Sequence, residues 1–263
     1  MFKREMKINF KSFLIWTLSL VIVFFVVFLI YPSIINSENI EMMDEMMQMF
    51  PKELLKAFNM DLSSIDSAFG WLKTEGFVMI LLVIGSYAGI MGSTILLKEE
   101  NDKTIEYLNS LPIKRQNIVM SKVLCGTLYL LLMTLVIGIF NFIGLSLVEK
   151  FNIKQFLLLS ITPLLPGLVI FFLTLFISTF TNKTKKMFGI SLGIVFLSYV
   201  IQTVSMISEK TEFLKFFSVF TLADIRYVIQ NISINPIMVI ISISLSIILC
   251  ILTIVHYNKK ELV

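Results

Sequence analysis

Two adjacent glutamates, Glu99 and Glu100, lie at the end of a long apolar stretch and are the residues best placed for chemistry. Paired carboxylates at a membrane edge could support acid–base hydrolysis, as in an intramembrane protease. Such a site also needs a base within the membrane, and the only histidine of the chain, His256, lies in the C-terminal tail. The sequence therefore argues against a protease.

Methionines between residues 42 and 60 offer a second chemistry. Thioether sulfur selects copper(I), so Met43, Met46 and Met47 are weak candidate ligands for a copper-related function. No cysteine or histidine lies near them, and methionines at helical spacing more often pack against apolar surfaces. We therefore expect no metal site and keep metal transport as an alternative.

The chain contains no GxxxxGK[ST] sequence, with which P-loop ATPases hold nucleotide phosphates. We expect that it is not an enzyme by itself and binds no cofactor, so any ATP-driven work must come from a partner. Cys125 and Cys250 lie in or beside apolar stretches and form no CxxC pair, which argues against disulfides and zinc.

Composition indicates the class of protein. Of the 263 residues, 57% are hydrophobic and only 15% are charged, which is more apolar material than one soluble core could bury. The sequence has no basic patch suited to nucleic acid. We predict a multi-span helical protein whose surroundings are the lipid bilayer.

Six apolar stretches without charged residues in their centres are long enough to cross a bilayer, for which about 20 residues suffice. We predict an all-α membrane protein with a single domain over residues 1–263. An interfacial amphipathic helix is predicted within 208–235, and residues 1–12 form either another such helix or a simple basic flank. The predicted spans cover about residues 13–31, 76–97, 123–148, 156–180, 187–207 and 236–255.

The distribution of basic residues predicts the orientation. If both termini share one side, that side carries 14 of the 22 Lys and Arg. The positive-inside rule then places both termini and the charged segment 98–122 in the cytoplasm. Segments 32–75 and 208–235 are predicted to be external.

Small residues and prolines predict how the spans pack. Gly85 and Gly89 have the GxxxG spacing that lets helices approach closely in lipid, and either another span of the chain or a second copy could be the neighbour. Gly189 and Gly193 predict another close contact. Pro163 and Pro166 should kink or break the fourth span near its start.

The segment 98–122 has an order of its own. Asp102 or Thr104 can cap a short helix, and Pro112 suits the first turn of the next one. The segment therefore predicts an elbow of two short helices that a partner could grip from the aqueous side.

This segment carries a motif that resembles ABC-2-type permeases, the membrane subunits of ATP-binding-cassette exporters. The motif lies within about residues 92–126, and the six-span layout agrees over essentially the whole chain. In this sequence the motif reads Glu99-Glu100, Lys103-Thr104-Ile105-Glu106-Tyr107-Leu108, Leu111-Pro112-Ile113, Lys114-Arg115 and Lys122.

The resemblance implies that segment 98–122 docks into a separate ATPase subunit, its glutamates contacting that partner or the basic N-terminal helix. The alternative is a soluble loop whose charges are only solvated. The residues that the resemblance assigns to coupling are Glu99, Glu100, Thr104, Glu106, Tyr107, Leu108, Pro112, Lys114 and Arg115.

The resemblance also implies an assembly with two ATPase subunits, which bind ATP and Mg, and a second copy of this permease or a paralogous one. The complex would export an amphipathic or hydrophobic cargo, such as a drug, an antimicrobial peptide or a lipid-like molecule, across a bacterial plasma membrane. A non-transporting membrane immunity protein is an alternative. The polar residues that could line the pathway are Asn141, Thr174, Ser178, Ser198 and Gln202.

Overall fold

The computed structural model describes residues 1–34, 45–46, 49–51, 55, 67–101 and 114–260. Within these residues every regular element is a helix, and six helices are long and apolar enough to cross a membrane. The all-α, six-span prediction is therefore confirmed. The α-helices are α1 (Phe2–Ile34), α2 (Ala68–Ile95), α3 (Lys98–Asn101), α4 (Arg115–Val148), α5 (Ile153–Ile161), α6 (Leu164–Ser178), α7 (Thr184–Ser205), α8 (Ile225–Asn231) and α9 (Pro236–Lys259).

Helix α1 is continuous from Phe2 to Ile34. At about 1.5 Å per residue it is about 50 Å long, whereas the apolar layer of a bilayer is about 30 Å thick. The charged residues of the first three turns therefore extend the first span and do not form a separate helix. One face of α1 packs against α4, where Phe13 stacks on Tyr129 with ring centroids 4.9 Å apart.

Helix α2 and the span formed by α5 and α6 are the two most enclosed spans, and α2 packs mainly against α6 and α7. A β-carbon at Gly89 would contact Ser191 of α7 at 3.3 Å and Ile170 of α6 at 3.5 Å. A β-carbon at Gly85 would meet the Phe220 ring at 3.1 Å. The GxxxG glycines of α2 thus serve contacts within the chain.

Gly92 lies at the closest approach of α2 and α6. A β-carbon there would overlap the carbonyl oxygen of Phe171 and the hydroxyl of Thr174. Because the Phe171 oxygen belongs to the backbone, the overlap cannot be relieved by a rotamer change. We expect Gly92→Ala to destabilise the protein by about 1–3 kcal/mol, measured as a lower melting temperature in nanodiscs.

Gly189→Ala is the matched control for that prediction. In the part of the chain that the structure describes, no atom outside its own helix lies within 4 Å of a β-carbon built at Gly189 or Gly193. The prediction that these two glycines mark a close contact is therefore wrong within the described chain. A Gly189→Ala variant that melts lower than Gly92→Ala would contradict the packing described for Gly92.

The fourth span is broken at its start, as the prolines predict. Helix α5 ends at Ile161, and α6 begins at Leu164, directly after Pro163. The Thr162 hydroxyl donates to the Leu158 carbonyl at 2.7 Å, and Ser242 of α9 donates to the Leu165 carbonyl at 2.9 Å. Side-chain hydroxyls therefore supply hydrogen bonds around the break.

The segment between α7 and α9 folds into short helices. Two 3₁₀ helices cover Glu209–Phe217 and Val219–Leu222, and α8 follows, capped by the Asp224 carboxylate. Lys215 donates to Glu212 at 2.6 Å and thereby lowers the pKa of that carboxyl group. This segment exposes several phenylalanine rings, but its predicted position at a membrane interface stays a prediction.

Candidate functional site

Both chain termini approach the same end of the helix bundle. Lys122 of α4 contacts Glu5 near the N-terminus, and Glu100 of α3 contacts Lys260 near the C-terminus. We call this end the terminal face. It is also the end at which residues 98–101 and 114–122 flank the middle of the charged segment.

Lys122 is the centre of a buried charge cluster on this face. Its side chain is 0% exposed, and the side chains of Glu5 and Glu99 are 1% and 4% exposed. The ammonium group donates to Glu99 at 2.8 Å, to Glu5 at 3.3 Å and to the Ile95 carbonyl at 2.6 Å. A lysine ammonium has three N–H donors, so the three neighbours can use all of them.

The cluster joins the ends of four helices, one of which is α3, the helix of Glu99. Glu5 comes from α1, Ile95 ends α2, and Lys122 lies two turns into α4. Nearby, the Tyr129 hydroxyl donates to the Met6 carbonyl, which adds a second link between α4 and α1. Buried charges are stable only when they are paired and hydrogen-bonded, so the cluster holds these ends in one arrangement.

A second pair of charges fastens the C-terminal end to the same face. The Lys260 ammonium donates to Glu100 at 2.8 Å and to the Thr181 carbonyl, in the connection between α6 and α7, at 3.1 Å. Arg115 donates to the Lys260 carbonyl at 2.9 Å. The start of α4 and the end of α9 are therefore linked directly.

These contacts connect the terminal face to several helices at once. Every residue described on either side of positions 102–113 is attached to helices α1, α2, α4 or α9 by paired charges or by the backbone. Packed and charge-paired elements shift as units because their interiors do not deform continuously. The described residues that flank positions 102–113 are thus connected to these four helices.

A family model described as an ABC-2 family transporter protein matches residues 1–262. The chain belongs to this family. Comparisons with curated proteins and with solved structures gave no significant match. The protein is therefore an ABC-2 permease, a multi-pass membrane transport component that is not itself catalytic.

The permease places its predicted coupling residues in different surroundings. Glu99 is buried and pairs with Lys122, and its contact with a docking partner stays a prediction. The Glu100 carboxylate forms an ion pair with Lys260, whereas the Lys114 side chain is exposed. The coupling residues outside the described part of the chain are Thr104, Glu106, Tyr107, Leu108 and Pro112.

Sequence reasoning missed the partners of these charges. Lys122 was part of the family motif, but its burial was not predicted, and neither Glu5 nor Lys260 was assigned a role. Two signals were present in the sequence. Glu5 is the only acidic residue among the basic residues of positions 1–12, and Lys122 shares a helix face with the apolar residues Val119 and Cys125, which are also buried.

The residues predicted to line a pathway lie mostly between helices. The Thr174 and Ser178 hydroxyls are buried and donate to carbonyls of their own helix. The backbone of Ser198 accepts from Ser218 at 2.7 Å, and Gln202 accepts from the Thr221 hydroxyl at 2.6 Å. Asn141 is buried in α4. Their role in lining a pathway stays a prediction.

The methionine-rich segment lies largely outside the described residues. Met43 and Met47 belong to that undescribed part, whereas Met46 is described and exposed. Among residues that the structure describes, no group of three or more His, Cys, Asp or Glu side chains could hold a metal ion. The weak copper(I) hypothesis gains no support from the described contacts.

Proposed function

We propose that this permease forms the translocation pathway of an ATP-binding-cassette exporter. Two permease copies, or this chain and a paralogous one, would assemble with two ATPase subunits in a bacterial plasma membrane. The terminal face would lie in the cytoplasm, where the partner ATPases bind ATP and Mg. The cargo would be amphipathic or hydrophobic, because the centres of the six predicted spans lack acidic and basic residues, unlike those of typical ion-coupled transporters.

One observation carries the coupling part of this proposal, namely the buried cluster of Lys122, Glu5 and Glu99. An ATPase that changes shape outside the membrane needs a stiff attachment to the spanning helices. The cluster would supply such an attachment, because Glu99 and Lys122 lie at the two ends of segment 98–122. On this proposal the middle of the segment contacts the ATPase, and Glu99 passes the movement on through Lys122.

The Lys122 cluster and the Glu100–Lys260 pair would pass the movement of the ATPase to different helices. The Lys122 cluster would move α1, α2 and α4, while Glu100 and Lys260 would carry the movement to α9. Helices on different sides of the bundle would thus receive the same displacement. Such a division suits alternating access, in which groups of helices rock against one another.

The proposal is tested by co-purification with the partner ATPase. The Glu106→Lys, Leu108→Asp double variant reverses a charge and adds a charge to an apolar side chain in the predicted docking surface. We expect it to reduce the amount of co-purifying ATPase at least about tenfold, since removing two interface contacts commonly costs that much.

The matched control applies the same chemical changes to the segment between α7 and α9. Glu212→Lys with Phe213→Asp alters an exposed site at the opposite end of the helices. We expect this control to retain the ATPase. Equal ATPase recovery with both double variants and the unchanged permease would contradict docking on segment 98–122.

A further inference from the structure

A cavity of about 60 Å³ lies between α2 and α7, far from the terminal face. Its walls include Glu75 and Phe77 of α2, Tyr199 and Gln202 of α7, and Phe220 of the following 3₁₀ helix. Glu75 lies 20 residues before Ile95 along α2, which corresponds to about 30 Å. The cavity is therefore separate from the buried charge cluster.

The carboxylate of Glu75 is brought to this cavity by an irregular turn. Residues Leu72–Gly76 form one turn of π-helix within α2. The Thr74 hydroxyl donates to the carbonyls of Gly70 at 3.3 Å and Trp71 at 3.2 Å, which satisfies backbone groups beside the wider turn. Single turns of π-helix inside α-helices occur frequently at functional sites.

Within the described residues, Glu75 has no ion pair and accepts no hydrogen bond. The nearest lysine in the sequence, Lys73, lies over the Phe69 ring, with its nitrogen 4.8 Å from the ring centroid. The Gln202 side-chain oxygen already accepts a hydrogen bond from Thr221. The half-buried Glu75 side chain therefore gives the cavity a carboxylate that has no counter-ion among the described residues.

We propose that this cavity binds the primary ammonium group of an amphipathic amine, with Glu75 as its counter-ion. A cation would offset the cost of a partly buried, unpaired carboxylate. The aromatic rings of Phe77, Tyr199 and Phe220 add cation–π attraction when a cation lies over a ring face. The same carboxylate repels anionic lipids and fatty acids.

The size of the cavity limits what enters it. One water-sized group needs about 10–15 Å³ of cavity volume. A cavity of about 60 Å³ therefore holds about four to six heavy atoms. This is room for an ammonium group and the first few carbon atoms of a chain. The remaining apolar part of the ligand lies outside the cavity, in the apolar surroundings of the helices.

That the bound amine is an exported cargo rests on the proposed export function. The binding of an ammonium group in the cavity does not depend on that function. The binding test therefore uses the full permease alone, in nanodiscs of phosphatidylcholine, which carries no net charge. The probe is radiolabelled n-octylamine at pH 7.5, where an alkylamine is protonated, and n-octanol is the neutral probe of equal chain length. Empty nanodiscs correct for partition into lipid.

We expect saturable binding of octylammonium and at least about tenfold weaker binding of octanol, because a charged hydrogen bond is lost. Glu75→Gln keeps the shape of the side chain and should weaken octylammonium binding by a similar factor. Glu75→Asp should retain part of it. Glu212→Gln, at an exposed carboxylate already paired with Lys215, should bind as the unchanged protein does.

Equal affinity for the two probes, or octylammonium binding unchanged in Glu75→Gln, would overturn the inference. If Glu75→Gln fails to fold, the unchanged permease is treated with dicyclohexylcarbodiimide, an apolar reagent for carboxyl groups, and digested for mass spectrometry. Octylammonium should then protect Glu75 from modification, and octanol should not. Modification of Glu75 to the same extent with either probe would also overturn the inference.

The binding test and the ATPase test can each contradict one proposal without affecting the other. Loss of ammonium binding in a permease that still co-purifies with its ATPase contradicts the cavity assignment and leaves the proposed transporter intact. Ammonium binding without any ATPase partner contradicts the proposed transporter and supports the cavity assignment. Vesicle export of octylamine by the complete complex would support both.

Discussion

Lys122→Met is expected to destabilise the permease by about 3–5 kcal/mol, because it leaves the buried carboxylates of Glu5 and Glu99 without their cation. Methionine has a similar volume, so little of this loss comes from packing. The measurement is thermal unfolding of the purified permease in nanodiscs. Lys150→Met, which removes an exposed lysine at the far end of α4, is the control and should change stability by less than about 0.5 kcal/mol.

A neutral version of the cluster separates charge from shape. The triple variant Glu5→Gln, Glu99→Gln, Lys122→Met removes all three charges and keeps side chains of similar size. Replacing a whole buried ion pair by neutral residues is often close to neutral for stability. We expect this variant to recover most of the stability that Lys122→Met loses. A Lys122→Met variant as stable as the unchanged protein would show that the three charges are not coupled.

Reversing the charge of Glu100 is the prediction with the second largest effect. Glu100→Lys would place two ammonium groups together at a site where the paired side chains are 3% and 10% exposed. We expect a loss of about 2–4 kcal/mol, read from the same unfolding measurement. Lys260→Glu alone should have an effect of similar size.

The double variant Glu100→Lys, Lys260→Glu restores opposite charges and tests whether the two residues act as a pair. Recovery should be partial, at about half of the loss, because the Lys260 ammonium also donates to the Thr181 carbonyl, which a carboxylate cannot do. A double variant no more stable than the single ones would contradict a stabilising pair between these two residues.

The helices were predictable because their causes are local. Each span is an apolar stretch of sufficient length, and the break before α6 follows from the missing N–H and the ring of Pro163. The continuity of α1 was not predictable in this way. Its charged first turns read as a surface segment, whereas in the structure Glu5 finds Lys122 and lies inside.

The glycines show the same division between local and tertiary causes. Gly85 and Gly89 have the same spacing as Gly189 and Gly193, and the sequence gives no reason to treat the two pairs differently. Among the described residues, side chains of neighbouring helices meet the α2 pair but not the α7 pair. The difference arises because α2 lies between α6 and α7, a relation that no local pattern encodes.

The sequence motif contains Glu99 and Glu100 but does not show which residues they pair with. Successive residues on a helix point about 100° apart, so Glu99 and Glu100 cannot share one partner. Glu99 turns towards Lys122, and Glu100 turns towards Lys260. The sequence showed that both acids were chemically important, but their partners lie 23 and 160 residues further along the chain and are chosen by helix packing.

In the proposed complex the ATPase binds the terminal face, and the buried cluster passes the movement of the ATPase to the helices. The most direct measurement is photo-crosslinking in the assembled complex, with benzoylphenylalanine in place of exposed Lys114 or, at the opposite end of the helices, exposed Lys154. We predict a crosslink to the ATPase from position 114 and none from position 154. A crosslink from position 154, or none from position 114 in a complex that still contains the ATPase, would contradict the claim.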